Sequence, residues 1–128
     1  MSTKFTILFL LLSSFSLSAQ VYVNQTATGS NDGTSWTDAY TDLSAALSAT
    51  STGDEVWVAA GTYLPGDNRN DFFRFPHDLQ VYGGFNGTES ALEDRDVNAN
   101  TTILSGDLNG DDVQGNFTTN RTDNARHV

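Results

Sequence analysis

The chain has 128 residues, no cysteine, six basic and 16 acidic side chains, and a formal net charge of −10. That length suits one small domain, and without cysteine there is no disulfide framework, thiolate metal ligand or cysteine nucleophile. So much negative charge argues against nucleic acid, or an anionic membrane surface met by charge alone, while leaving room for calcium or another hard cation.

In sequence order the first element is a leader. Met1-Ser-Thr-Lys4 is a short positive start, Phe5 to Leu12 is apolar, and Leu17-Ser18-Ala19 supplies small residues before Gln20. This order predicts a secretory signal peptide over residues 1–19, cleaved after Ala19. The run from Phe5 to Ala19 has 15 residues with four serines, short of the roughly 20 apolar residues that a spanning helix needs. An exported protein without cysteine must find its stability elsewhere.

The remaining 109 residues hold only 21 Val, Leu, Phe and Ile, against 49 Gly, Asn, Thr and Asp. Such a composition suits turns and short strands better than helices. Strand-like clusters fall at Val21-Tyr22-Val23, Val56-Trp57-Val58, Leu79 to Tyr82, Ile103-Leu104 and from His127. Val58, Val81, Leu104 and Val128 are spaced by 23, 23 and 24 residues, with Gly/Asn/Asp corners between them. Short β runs at a period of roughly 20 to 30 predict a solenoid of stacked coils with parallel ladders. An antiparallel sandwich would show tight hairpins at roughly 8 to 12-residue spacing. Gly83-Gly84 and Asn86-Gly87 could serve as such turns.

Between the first two clusters, Ala39, Leu43, Ala46 and Leu47 share one helical face. This predicts an amphipathic helix within Thr37–Ser48, capped by Ser35 or Thr41, ended by Thr52-Gly53, and placed to cover the open end of a solenoid.

Several stretches carry a resemblance. They are Val21-Tyr-Val-Asn24, Gly29 to Trp36, Gly53-Asp-Glu-Val-Trp-Val-Ala-Ala-Gly-Thr-Tyr63, Val81-Tyr-Gly-Gly-Phe-Asn-Gly-Thr-Glu89 and Thr102 to Asp111. Together they resemble the N-terminal part of secreted right-handed parallel β-helix proteins of the pectin-lyase-like superfamily. More closely, they are similar to bacterial surface proteins with polymorphic outer membrane protein-type repeats. The resemblance implies an all-β fold, a right-handed parallel β-helix with an N-terminal capping α-helix, and the cluster spacing gives about 23 residues per coil. Right-handedness is also what the crossover rule favours. The expected organisation is 1–19 leader, 20–54 first strand and capping helix, and 55–128 first coils, with further coils or a partner at the C-terminal open end.

Candidate chemistry is sparse. Asp107-Leu-Asn-Gly-Asp-Asp112 places oxygens at Asp107, Asn109 and Asp111, with Asp112 next, in the alternation that begins a calcium loop. A complete EF-hand loop would want Gly at 112 and Glu at 118, where this protein has Asp112 and Thr118; the bland alternative is a solvated acidic turn. Asp94 with Asp96, or Asp54 with Glu55, are close in sequence with nothing to set them across a cleft as a glycosidase requires. Arg74, His77 and Asp78 read as a polar corner, and two histidines do not make a Ser-His-Asp arrangement. No Gly run has phosphate-loop spacing. Trp36, Trp57, Tyr63, Tyr82 and Phe85 could form a sugar-stacking surface or close over the core. Strand alternation sets Trp57 opposite Val56 and Val58, making it the candidate outward ligand contact. Five Asn-X-Thr sequons, at Asn24, Asn86, Asn100, Asn116 and Asn120, reflect composition.

The expected function is the capping segment of an exported protein, extracellular or associated with the outer membrane, with a structural or adhesive role. Its expected partners are cell-surface polysaccharide or a neighbouring cell surface. No catalytic constellation is legible. The alternatives are the non-catalytic start of a polysaccharide lyase or glycoside hydrolase, and a calcium-stabilised carbohydrate-binding module.

Overall fold

Val-rich runs with alternating partners form the strands, and a computed structural model describes residues 18–127. Residues 1–17, most of the expected leader, and Val128 lie outside that range. Strand β1 spans Gln20–Val23, helix α1 Leu43–Ala49, β2 Glu55–Ala59, β3 Gly61–Tyr63, β4 Gln80–Phe85 and β5 Thr102–Leu104, with a 3-10 turn at Leu92–Asp94. The strands form a three-stranded sheet in the order β1-β2-β4 and a two-stranded sheet β3-β5. Every pair is parallel.

The registers overturn the expected solenoid. Val21 pairs with Val56, Val56 with Val81, and Tyr63 with Leu104, offsets of 35, 25 and 41 residues. Val58, Val81 and Leu104 do not stack: Val58 faces Val23, Val81 faces Val56, and Leu104 lies in the other sheet. Cluster spacing was not ladder register, because the connections differ in length and content. The first carries α1; the others carry long Gly/Asn/Asp turns. Among the described residues the fold is small and loop-rich, with two short parallel sheets and one helix, and is not a right-handed parallel β-helix.

Both faces of the larger sheet are covered, as a parallel sheet requires. On one, Val23, Val56 and Val58 pack with Leu43, Ala46 and Leu47 of α1 and with Tyr63 and Phe73. On the other, Tyr22 and Trp57 meet Trp36 and Phe85. Strand alternation therefore holds, with apolar residues on both sides.

Helix α1 is shorter than the pattern predicts, and neither expected residue caps it. Asp42 is the N-cap, accepting from the Ala45 amide at 2.7 Å. The preceding residues are committed elsewhere: Asp38 accepts from the Ser30 amide, and Tyr40 forms an isolated parallel bridge with Val23. At the other end the Thr50 hydroxyl donates to the Leu47 carbonyl. The four apolar residues of the expected face, Ala39, Leu43, Ala46 and Leu47, are all buried.

Gly83-Gly84 makes a bulge, not a hairpin turn. Trp57 pairs with Tyr82 and Ala59 with Phe85, so β4 carries one extra residue there. Gly84 has φ +95°, and a Cβ on Gly83 would meet the Thr102 side chain at 2.8 Å. That close approach lets the Thr102 hydroxyl accept from the Gly84 amide (3.1 Å) and reach the Val58 and Ala59 carbonyls (3.2 Å each), tying the two sheets together.

Candidate metal site

After β5 the backbone leaves on a long excursion and returns where the Ala125 amide donates to the Gly106 carbonyl at 2.7 Å. The Arg126 amide then donates to the Arg69 carbonyl, and Arg69 Nε to the Asn124 carbonyl, fixing the returning limb of the excursion against the 66–74 loop. Asp107 and Asp123 sit at this neck.

Asp107 organises the outgoing turn. Its Oδ1 accepts from the Gly110 and Asp111 amides at 2.8 and 3.2 Å, and its Oδ2 from the Asp112 amide at 3.0 Å. The Asn109 amide donates to Asp123 Oδ2 at 3.1 Å. One carboxylate oxygen each from Asp107, Asp111 and Asp123 lie within 4.8 Å of one another. Oxygens sharing one calcium ion are separated by at most twice the Ca–O distance, about 4.8 Å for a bond of about 2.4 Å. The donor set is the hard, anionic one that calcium takes.

The electrostatics agree. Amide donation by Asp112 holds the Asp107 carboxyl below its ordinary value, partial desolvation opposing it and the Asp111, Gly110 and Asn109 amides adding to it. Asp111 is pushed up, first by desolvation and then by the charges of Asp123, Asp107 and Asp112. A divalent cation would relieve that repulsion.

Of the four residues expected to hold calcium, the structure brings Asp107 and Asp111 together. Asn109 contributes its backbone amide to Asp123, and Asp112 Oδ2 accepts from Asn124 Nδ2 at 2.8 Å, outside the cluster. Asp123 was missed. It joins through the reversal of the backbone at the neck, and no local spacing announces it.

Trp57 is not an outward contact. It is 4 % exposed, stacked on Phe85 at 4.6 Å, and its indole nitrogen donates to Glu55 Oε1. It does lie opposite Val56 and Val58, but that face is closed by Trp36, whose indole donates to the Glu89 carbonyl at 2.9 Å. Tyr63 is buried in the other core, its hydroxyl donating to the Ala59 carbonyl; burial pushes its pKa up to about 12. Tyr82 is half-buried beneath the Arg95 guanidinium. His77 and Asp78 form an exposed pair at 3.1 Å, while Arg74 lies over the Phe72 ring.

Glu89 is a functional-looking residue that the sequence does not announce. It is 8 % exposed and accepts from the Asn86, Gly87 and Thr88 amides at 2.7, 3.0 and 3.0 Å. Burial raises its pKa, but the amide bonds outweigh it and hold the carboxyl below its ordinary value. It closes a turn, and among the described residues it belongs to no group of three or more metal-ligating side chains.

Compared with known proteins, the sequence matches no family model, no curated protein and no solved structure. The pectin-lyase-like resemblance therefore rests on the sequence motifs alone. Among the described residues no helix is long and apolar enough to cross a membrane.

Proposed function

We propose that this protein is a structural or adhesive module of an exported product, working at or outside the cell surface rather than as a catalyst. The observation that carries this reading is the use made of its carboxylates. Asp38, Asp42, Asp54, Glu89, Asp96 and Asp107 each accept from backbone amides of nearby turns, so they hold loops instead of facing one another across a cleft. The leader-like order of residues 1–19 supports export. Surface polysaccharide or a neighbouring cell surface is the partner proposed. Producing the protein with its leader in a bacterial host tests this. Protein beginning at Gln20, outside the cytoplasm and retained on whole cells or insoluble polysaccharide, is expected. Uncleaved cytoplasmic protein, or exported protein that washes off both, contradicts it.

A second reading is favoured by the convergence of Asp107, Asp111 and Asp123: calcium closes the neck of the 107–123 excursion and stabilises the module. Bound there, calcium supplies charge neutralisation and a cross-link between the two ends of the loop. The residues that would hold it are those three carboxylates, with carbonyls or water completing the shell.

A further inference from the structure

The sequence has two Asn-Gly pairs, Asn86-Gly87 and Asn109-Gly110, which are equivalent by composition. Their surroundings are not. Asn86 is restrained: its Oδ1 accepts from the Thr88 hydroxyl at 2.6 Å, and the Asn24 side-chain amide lies 2.9 Å from where a Gly87 Cβ would stand. Both asparagines are exposed, but among the described residues the Asn109 side chain makes no hydrogen bond; only its backbone amide is engaged, with Asp123. Beside Gly110 there is open space, with nothing within 4 Å of a Cβ position. Both glycine amides donate to a carboxylate, Gly87 to Glu89 and Gly110 to Asp107, so that feature does not separate them.

We infer that Asn109 is a self-modification site, converting by intramolecular deamidation while Asn86 is protected. The Gly110 backbone nitrogen attacks the Asn109 Cγ, forming a new bond from nitrogen to carbon. Its proton passes by way of the Asp107 carboxylate to the departing Nδ2, and the Cγ–Nδ2 bond of Asn109 breaks to release ammonia. Water then opens the five-membered imide at either carbonyl, leaving aspartate or isoaspartate. No oxidant, reductant or second protein is needed. The neutral amide becomes a carboxylate at the centre of Asp107-Leu-Asn-Gly-Asp111, adding a fourth acid next to the cluster. Where the imide opens to isoaspartate, the backbone at the neck is also lengthened by one atom.

The test is peptide mapping by mass spectrometry of the folded full-length protein, aged in mildly alkaline buffer. It reads the amide-to-acid mass gain at Asn109 and Asn86 separately. Asn109 is expected to convert at least roughly tenfold faster, a factor that corresponds to about 1.4 kcal/mol in barrier. In denaturant the two rates should converge. Thr88→Val, an exposed substitution that frees the Asn86 side chain, should raise the Asn86 rate several-fold and leave the Asn109 rate unchanged, which also reports that the fold has survived. Equal rates in the folded wild type, or no effect of Thr88→Val on Asn86, would overturn the inference.

Discussion

Glu89 shows how this protein uses acidity. Three consecutive amides converge on one buried carboxylate, and replacing it with glutamine turns two acceptors into one acceptor and a donor that faces N–H groups. We expect Glu89→Gln to destabilise by roughly 1–3 kcal/mol at neutral pH, measured by denaturant unfolding. The pH dependence follows from its lowered folded pKa. The unfolded state takes up the proton first, near the ordinary 4.5, so the stabilisation is fully present above that value. It is lost as pH falls through the lower folded value. Wild type should therefore lose stability on acidification more steeply than Glu89→Gln. Tyr63 behaves oppositely. Its folded pKa is raised to about 12 from 10.0, so its stabilisation is present below 10 and is lost as pH rises toward 12. Trp57→Ala should cost about 3–5 kcal/mol, as for other buried aromatics, since its ring is stacked and enclosed. A sugar-binding surface residue would cost little.

Among the elements, the helix and the two-sheet junction rest on single polar side chains. Asp42→Ala removes the side chain that caps the N-terminus of α1 and should cost about 1 kcal/mol in denaturant unfolding. Thr102→Val strands the Gly84 amide beside the bulge and should cost roughly 1–3 kcal/mol. The positions of β1, β2, β4 and β5 were legible, because Val, Tyr and Trp clusters between Gly/Asn/Asp turns mark strands regardless of partner. Parallel pairing was expected only as a consequence of stacked coils, and the strands here pair in parallel without them. What pairs with what was not legible. Ladder register depends on loop paths, and those are set here by contacts such as Tyr40 with Val23 and Thr102 with Gly84 that no periodicity encodes. The helix face was readable from Leu43, Ala46 and Leu47, whereas its start was not, because Asp38 and Tyr40 are drawn into tertiary bonds. Alternation placed Trp57 on the correct side of β2, but it holds no information on whether Trp36 and Phe85 cover that side.

Across the whole molecule, the two ends of the 107–123 excursion meet through reversal of the backbone, which is why Asp107 and Asp111 were readable as a pair and Asp123 was not. If calcium closes that neck, thermal melting should shift upward with millimolar calcium over chelator, in a concentration-dependent way. Asp123→Asn should abolish most of the shift, and an unchanged melting temperature in wild type rules calcium out. The larger claim is that the carboxylates of this acidic protein serve its backbone, so that the module is held together by acid-to-amide contacts in turns around a small apolar core. Site-resolved NMR titration of the Asp and Glu carboxyls tests it most directly. Glu89, Asp38 and Asp107 should titrate below their ordinary values and Asp111 above. Ordinary values at all four positions would mean solvated acids with no structural task, and would contradict the account.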